Sequence, residues 1–160
     1  MLRYVGTKVV KAAPMTRKEY NDLRGWTVPE DENPNDDGYL VEYLDGGKAN
    51  HADYTGYISW SPKDVFERAY RAISQLTMGM AIQALKADQK VCRDGWNGKG
   101  MYLFLVRGNE VSQAVADHHG NAGDFYPVLD AIYMKTADGK VVPWLASQTD
   151  LLAEDYCIIE

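Results

Sequence analysis

The chain is expected to be α+β: small antiparallel sheets with short helices, gathered into two compact modules. Three observations predict this. Hairpin-type turns stand at Asn97-Gly98 and Asp138-Gly139, where glycine accepts a positive φ without a Cβ clash, and a further turn at Asp45-Gly46-Gly47. Short helices open on cap signatures at Thr16-Arg17-Lys18-Glu19, Ser61-Pro62-Lys63-Asp64 and Ser147-Gln148-Thr149-Asp150. The short polar stretch Ser74–Thr77 lies between two amphipathic helical patterns and reads as a join. It separates residues 1–73 from residues 74–160.

The first module begins with a strand expected over Val5–Ala13, closed by Pro14. A helix over Arg17–Arg24 should follow and stop at Gly25. Residues 29–38 are acidic and proline-bearing, which predicts a solvated loop; their order does not fit a calcium loop. Strands are expected at Tyr39–Leu44 and Gly56–Trp60. The next helix should carry Ser61 as its cap and Pro62 as its first residue. Val65, Phe66, Ala69, Tyr70 and Ile73 would form its core stripe.

The second module should open on a helix over Met78–Ala87, with Met78, Ala81, Ile82 and Leu85 inward. Lys90–Asp94 and Met101–Arg107 read as paired strands around Asn97-Gly98. Residues 108–127 contain Gly108, Gly120, Gly123 and Pro127 and read as a long polar loop. The stretch from Lys135 to Tyr156 then reads as strand, two-residue turn, strand and capped helical turn. Pro143 cannot donate to a ladder, so the strand expected over Val141–Leu145 should be an edge, or its last residues should bend away.

Composition excludes several function classes. The net charge is -6 and the pI about 5.0, which argues against binding nucleic-acid polymers or anionic membranes. The sequence has no apolar run of membrane-spanning length. No apolar segment of a signal peptide stands near the start. Cys92 and Cys157 have no metal-ligand spacing and read as free thiols of a cytoplasmic chain. Each half is small enough to be marginal alone, so burial between the halves or between chains is expected.

Asp117-His118-His119 spells the signature of a two-metal phosphoesterase family. That chemistry needs several further carboxylate and histidine ligands, and His51 is the single other histidine. The triplet therefore reads as loop composition, and neither catalytic nor metal-binding residues nor a cofactor are assigned. Pairings of Cys92 with His118 or Ser147 with His119 lack a local nucleophile signature. Asn97-Gly98-Lys99-Gly100 lacks the phosphate-loop spacing.

A ligand platform is the sharper reading of the second module; a hairpin ending in a well-capped helix fits the pattern equally well. Trp96 and Trp144 offer flat faces, each worth roughly 1–3 kcal/mol per stacked base; core packing explains both rings equally well. Arg93 and Lys99 offer charge-assisted contacts to phosphate. Asn97, Gln148 and Thr149 offer neutral donors and acceptors. Ser147 caps a helix start whose N–H groups could face an anion. Asp150 would repel phosphate and suits a cap or a ribose hydroxyl.

Three long segments carry a family resemblance: Met78 to Lys86 (MGMAIQALK), WNGKGMYL beginning at Trp96, and Met134 to Asp155 (MKTADGKVVPWLASQTDLLAED). Over residues 76–159 the chain resembles the second type of phage Thoeris anti-defence protein. Tyr156 stands where that family carries Trp, and the 108–127 segment departs from its pattern. The resemblance implies a non-enzymatic sponge in the host cytoplasm. It would bind and sequester a cyclic ADP-ribose isomer made by a TIR-domain immune enzyme. Some similar proteins also hold cyclic dinucleotides. The resemblance further implies a homotetramer with ligand pockets between protomers. Residues 1–73 resemble a small phage module of unassigned role. A metal-dependent phosphodiesterase using His118 and His119, or an assembly module making only protein contacts, are the alternatives from other classes.

Overall fold

The computed structural model describes residues 1–3, 6–96, 99–120 and 126–159, without the His119 side chain. The chain divides into two compact units, Met1–Arg71 and Ala72–Glu160. The α+β expectation holds: one unit carries a three-stranded antiparallel sheet, the other a five-stranded one.

In the first unit, β1 (Val10–Pro14), β2 (Gly38–Tyr43) and β3 (Tyr57–Pro62) pair in that order. β1 is shorter than the expected Val5–Ala13, and Val5 lies outside the described residues. Pro14 joins the ladder opposite Tyr39 on an edge strand, where its missing N–H costs no central hydrogen bond. Helix α1 (Arg17–Arg24) forms as expected: Thr16 and Glu19 close a reciprocal capping box, and Gly25 ends the helix in the left-handed region. Tyr20, Leu40 and Ile58 form this unit's core, with Trp60 packed beside them. Arg17 stacks over Trp60 at 4.3 Å and bridges Glu32 at 2.6 Å and Asp36 at 3.3 Å. The acidic loop is thereby pinned to α1 rather than wholly given to solvent.

Helix α2 (Lys63–Ala69) departs from expectation in two ways. Ser61 is still in the β3 ladder opposite Tyr39, so Pro62 takes the cap position and no side chain caps the helix. The expected core stripe is absent as well: α2 buries no residue, and Val65 and Ile73 are exposed. The helix ends at Ala69, before Tyr70 and Ile73 could continue the stripe. Phe66 is instead sandwiched between Tyr39 and Tyr70, at 4.2 and 4.9 Å.

The second unit orders its strands β7-β6-β5-β4-β8. These are β4 (Lys90–Arg93), β5 (Tyr102–Val106), β6 (Ala131–Lys135), β7 (Val141–Pro143) and β8 (Tyr156–Ile159). Helix α3 (Met78–Lys86) lays Met78, Ala81, Ala84 and Leu85 against Val91, Leu103 and Tyr156. This is the inward face expected at period 3.6, with Ala84 in addition and Ile82 half-buried. Thr77 caps the helix. Leu76 is buried and exchanges backbone hydrogen bonds with Tyr156, so the polar stretch at 74–77 already belongs to the sheet of this unit. β7 is an edge strand carrying Pro143, as its missing donor demands. The β6–β7 turn is one residue longer than expected. Gly139 N–H donates to the Thr136 carbonyl and Thr136 N–H to the Lys140 carbonyl, leaving three loop residues with Gly139 at φ 85°.

The largest correction concerns residues 108–119, expected as loop. They form α4 (Gly108–His119), so Asp117-His118-His119 closes a helix. No local side chain caps its start. Asp130, 22 residues onward, accepts from Gly108 N–H at 2.9 Å and is held by Arg107 at 3.3 Å. Gly108 lies so close to the following strand's lead-in that a Cβ there would meet the Val128 carbonyl oxygen at 1.7 Å. Gly108→Ala must therefore displace backbone and should cost roughly 2–4 kcal/mol. Chemical denaturation checks this; Gly79→Ala, whose Cβ would meet only the Thr77 hydroxyl at 3.9 Å, should change little.

Candidate functional site

The platform residues come from two places: the turn leaving β4, and α5 (Gln148–Leu151) after β7. Arg93, the last residue of β4, ties them together. Its guanidinium bridges Asp150 at 2.6 Å and Asp155 at 2.8 Å, and lies 5.6 Å from the Tyr156 ring centre. The second oxygen of Asp155 accepts from Gly95 N–H at 2.9 Å, which fixes the turn carrying Trp96. A Cβ at Gly95 would stand 2.9 Å from that carboxylate, so a larger residue there would have to shift it.

On the other side, Ser147 and Asp150 form the expected capping box. Ser147 Oγ accepts from Asp150 N–H at 3.1 Å, and Asp150 Oδ2 accepts from Ser147 N–H at 3.0 Å. Asp150 thus serves the cap with one oxygen and Arg93 with the other. Its carbonyl accepts from the Tyr156 hydroxyl at 3.0 Å. Burial pushes the Tyr156 phenol up to about 12, so it stays a donor.

Among the sequence-chosen residues, Arg93, Trp96, Ser147 and Asp150 therefore belong to one network. Trp96 and Trp144 are both half-buried and both pack against the same core cluster. Lys99, Gln148 and Thr149 are exposed, and Thr149 shares a 2.8 Å hydroxyl contact with Ser147. Asn97 and the turn signal at Asn97-Gly98 lie outside the described residues. Arg93 differs from the sequence expectation: its donors are spent on two carboxylates, which makes it the lock of the platform rather than an open phosphate contact. Sequence reasoning missed Asp155, whose partner is 62 residues away. Lys135, one of the second half's cations, donates to the Gly100 carbonyl at 3.1 Å.

The network makes the unit acid-sensitive. Hydrogen bonding to Arg93 holds Asp155 below the usual carboxylate range, despite some burial. Burial raises Asp150, but hydrogen bonds from Ser147 and Arg93 outweigh it and lower it overall. Both folded values are depressed, so the stabilisation is full above the unfolded value of about 3.9 and is lost as pH falls through the folded values. The urea midpoint should be level from pH 7 to about 5 and drop below about pH 4, with a shallower drop for Asp155→Asn.

Among the described residues, no three metal-ligating side chains gather, and no helix is long and apolar enough to cross a membrane. Fold and network together define a small two-unit α+β protein whose second unit carries a locked turn-and-cap platform. Residues 76–159, all in that unit, match the Thoeris anti-defense 2-like domain (Tad2-like). The chain is also 42% identical over 90 residues to Thoeris anti-defense 2 of Bacillus phage SP01, covering 54% of this chain and 97% of that protein. It belongs to the Thoeris anti-defense 2-like family.

Proposed function

We propose that the protein is a phage counter-defence sponge. It binds a cyclic ADP-ribose-type messenger made by a TIR-domain immune enzyme and withholds it without chemical change. Family membership supports action against Thoeris. The observation that carries the binding reading is the Arg93 lock, which joins an indole-bearing turn to a capped helix turn. On this reading Trp96 and Trp144 stack on base faces, Lys99 pairs with phosphate, and Asn97, Gln148 and Thr149 meet ribose and base edges. Calorimetric titration of the full chain with a cyclic ADP-ribose isomer tests it, with a cyclic dinucleotide as the competing ligand. Saturable binding of the first supports the reading; binding of the second alone reassigns the ligand; binding of neither removes it.

The protein works in the cytoplasm of the infected host as a homotetramer. Support for self-association comes from an exposed apolar set near the edge of the second sheet: Val141, Val142, Leu145, Leu151 and Leu152, with Leu145 93% exposed. Light scattering at micromolar concentration should give a tetramer mass for the parent chain and a smaller species for Leu145→Asp combined with Leu152→Asp. A parent chain of monomer mass contradicts the assembly.

A further inference from the structure

The pair Cys92 and Cys157 takes no part in the platform. The two residues are direct cross-strand partners in the β4–β8 register, and both are half-buried free cysteines. Tyr156 exchanges both its backbone hydrogen bonds with Leu76, and Ile158 N–H donates to the Ile73 carbonyl. Cys157 therefore turns its own backbone groups toward β4. Opposed residues of this kind have Cα atoms about 5.5 Å apart, inside the roughly 4.4–6.8 Å range of disulfides. Side chains at paired positions leave the sheet on the same face, so the sulfurs are neighbours; each perturbs the other's titration. Cys157 Sγ also donates to the Ser74 carbonyl at 3.2 Å.

We propose that Cys92 and Cys157 are a modification site: a cross-strand dithiol that a small-molecule disulfide converts to an intramolecular disulfide stapling β8 to β4. One protein thiolate attacks the small disulfide and releases one thiol. The second thiolate then attacks the mixed disulfide and releases another. Two protein S–H bonds are replaced by one S–S bond, the small disulfide is reduced to two thiols, and both protein protons pass to the released thiolates. Burial and Asp94 push Cys157 up to about 11 and raise Cys92 as well, so the exchange is slow at neutral pH and quickens as pH rises. The staple closes a loop that includes β5, β6, β7 and α5.

The test treats the full native chain with excess oxidised glutathione at about pH 9.5, where a larger share of these raised thiols is ionised. Intact mass should fall by about 2 Da, the chain should stay unlinked to other chains on a non-reducing gel, and dithiothreitol should restore both thiols. The thermal midpoint of the oxidised form should rise by roughly 5 °C or more, because the unfolded chain loses loop freedom. Cys92→Ser and Cys157→Ser should each carry one glutathione and show no 2 Da loss. Two glutathiones on the parent chain, disulfide-linked chains, or two thiols that persist in the folded chain yet oxidise in urea would each overturn the proposal.

Discussion

Arg93→Ala should unfold the second unit at a thermal midpoint lowered by roughly 10–20 °C, equivalent to about 2–4 kcal/mol. Asp150 and Asp155 are both largely shielded from solvent, with side chains 15% and 33% exposed. Removing the guanidinium leaves both carboxylates without their cation, a larger loss than the worth of either ion pair. Arg93→Lys should recover part of the loss. A single ammonium keeps the charge but cannot span two carboxylates as the fork does. Differential scanning calorimetry checks the order: parent, Lys, Ala. Equal midpoints would show that the lock is incidental. Messenger affinity should follow the same order, because Trp96 and Ser147 are held in register through this one side chain.

Trp144→Ala should weaken messenger binding ten- to a hundred-fold, the worth of one stacked base at roughly 1–3 kcal/mol. The indole also packs on the core, so the truncation should cost about 3 kcal/mol of stability as well. Trp144→Phe separates the two roles. It retains most of the apolar packing and should fold close to the parent while binding several-fold more weakly. Lys99→Ala, at an exposed position, should leave stability unchanged, lower affinity and flatten its salt dependence. Calorimetric titration with circular dichroism reads all three. If every variant folds and binds like the parent, the ligand sits elsewhere.

Features that depend on a few neighbouring residues were legible in the sequence. The capping boxes at Thr16–Glu19 and Ser147–Asp150 formed as read, because donor and acceptor stand three residues apart. The edge position of β7 followed from one missing N–H at Pro143. Helix α4 was not legible. Its first residue is a glycine, which favours loop, and its N-terminal partner is Asp130, supplied from another part of the chain. The stripe on α2 misled for the opposite reason. Apolar spacing marks a possible face, but α2 buries no residue. For the candidate site, the sequence picked out Arg93 and Asp150 as separate features. Their joint role appears only when β4, α5 and the start of β8 are brought together through Asp155.

Sequestration without chemistry demands tight binding. Nanomolar affinity corresponds to about -12 kcal/mol, more than one stack and one ion pair supply, so a sponge needs the whole platform acting at once. The direct measurement incubates the protein with a cyclic ADP-ribose isomer, removes unbound messenger, denatures the protein by heat and analyses what is released. Intact messenger, recovered in proportion to protein, is the predicted result. A cleaved product, or messenger that never left the free fraction, would contradict it.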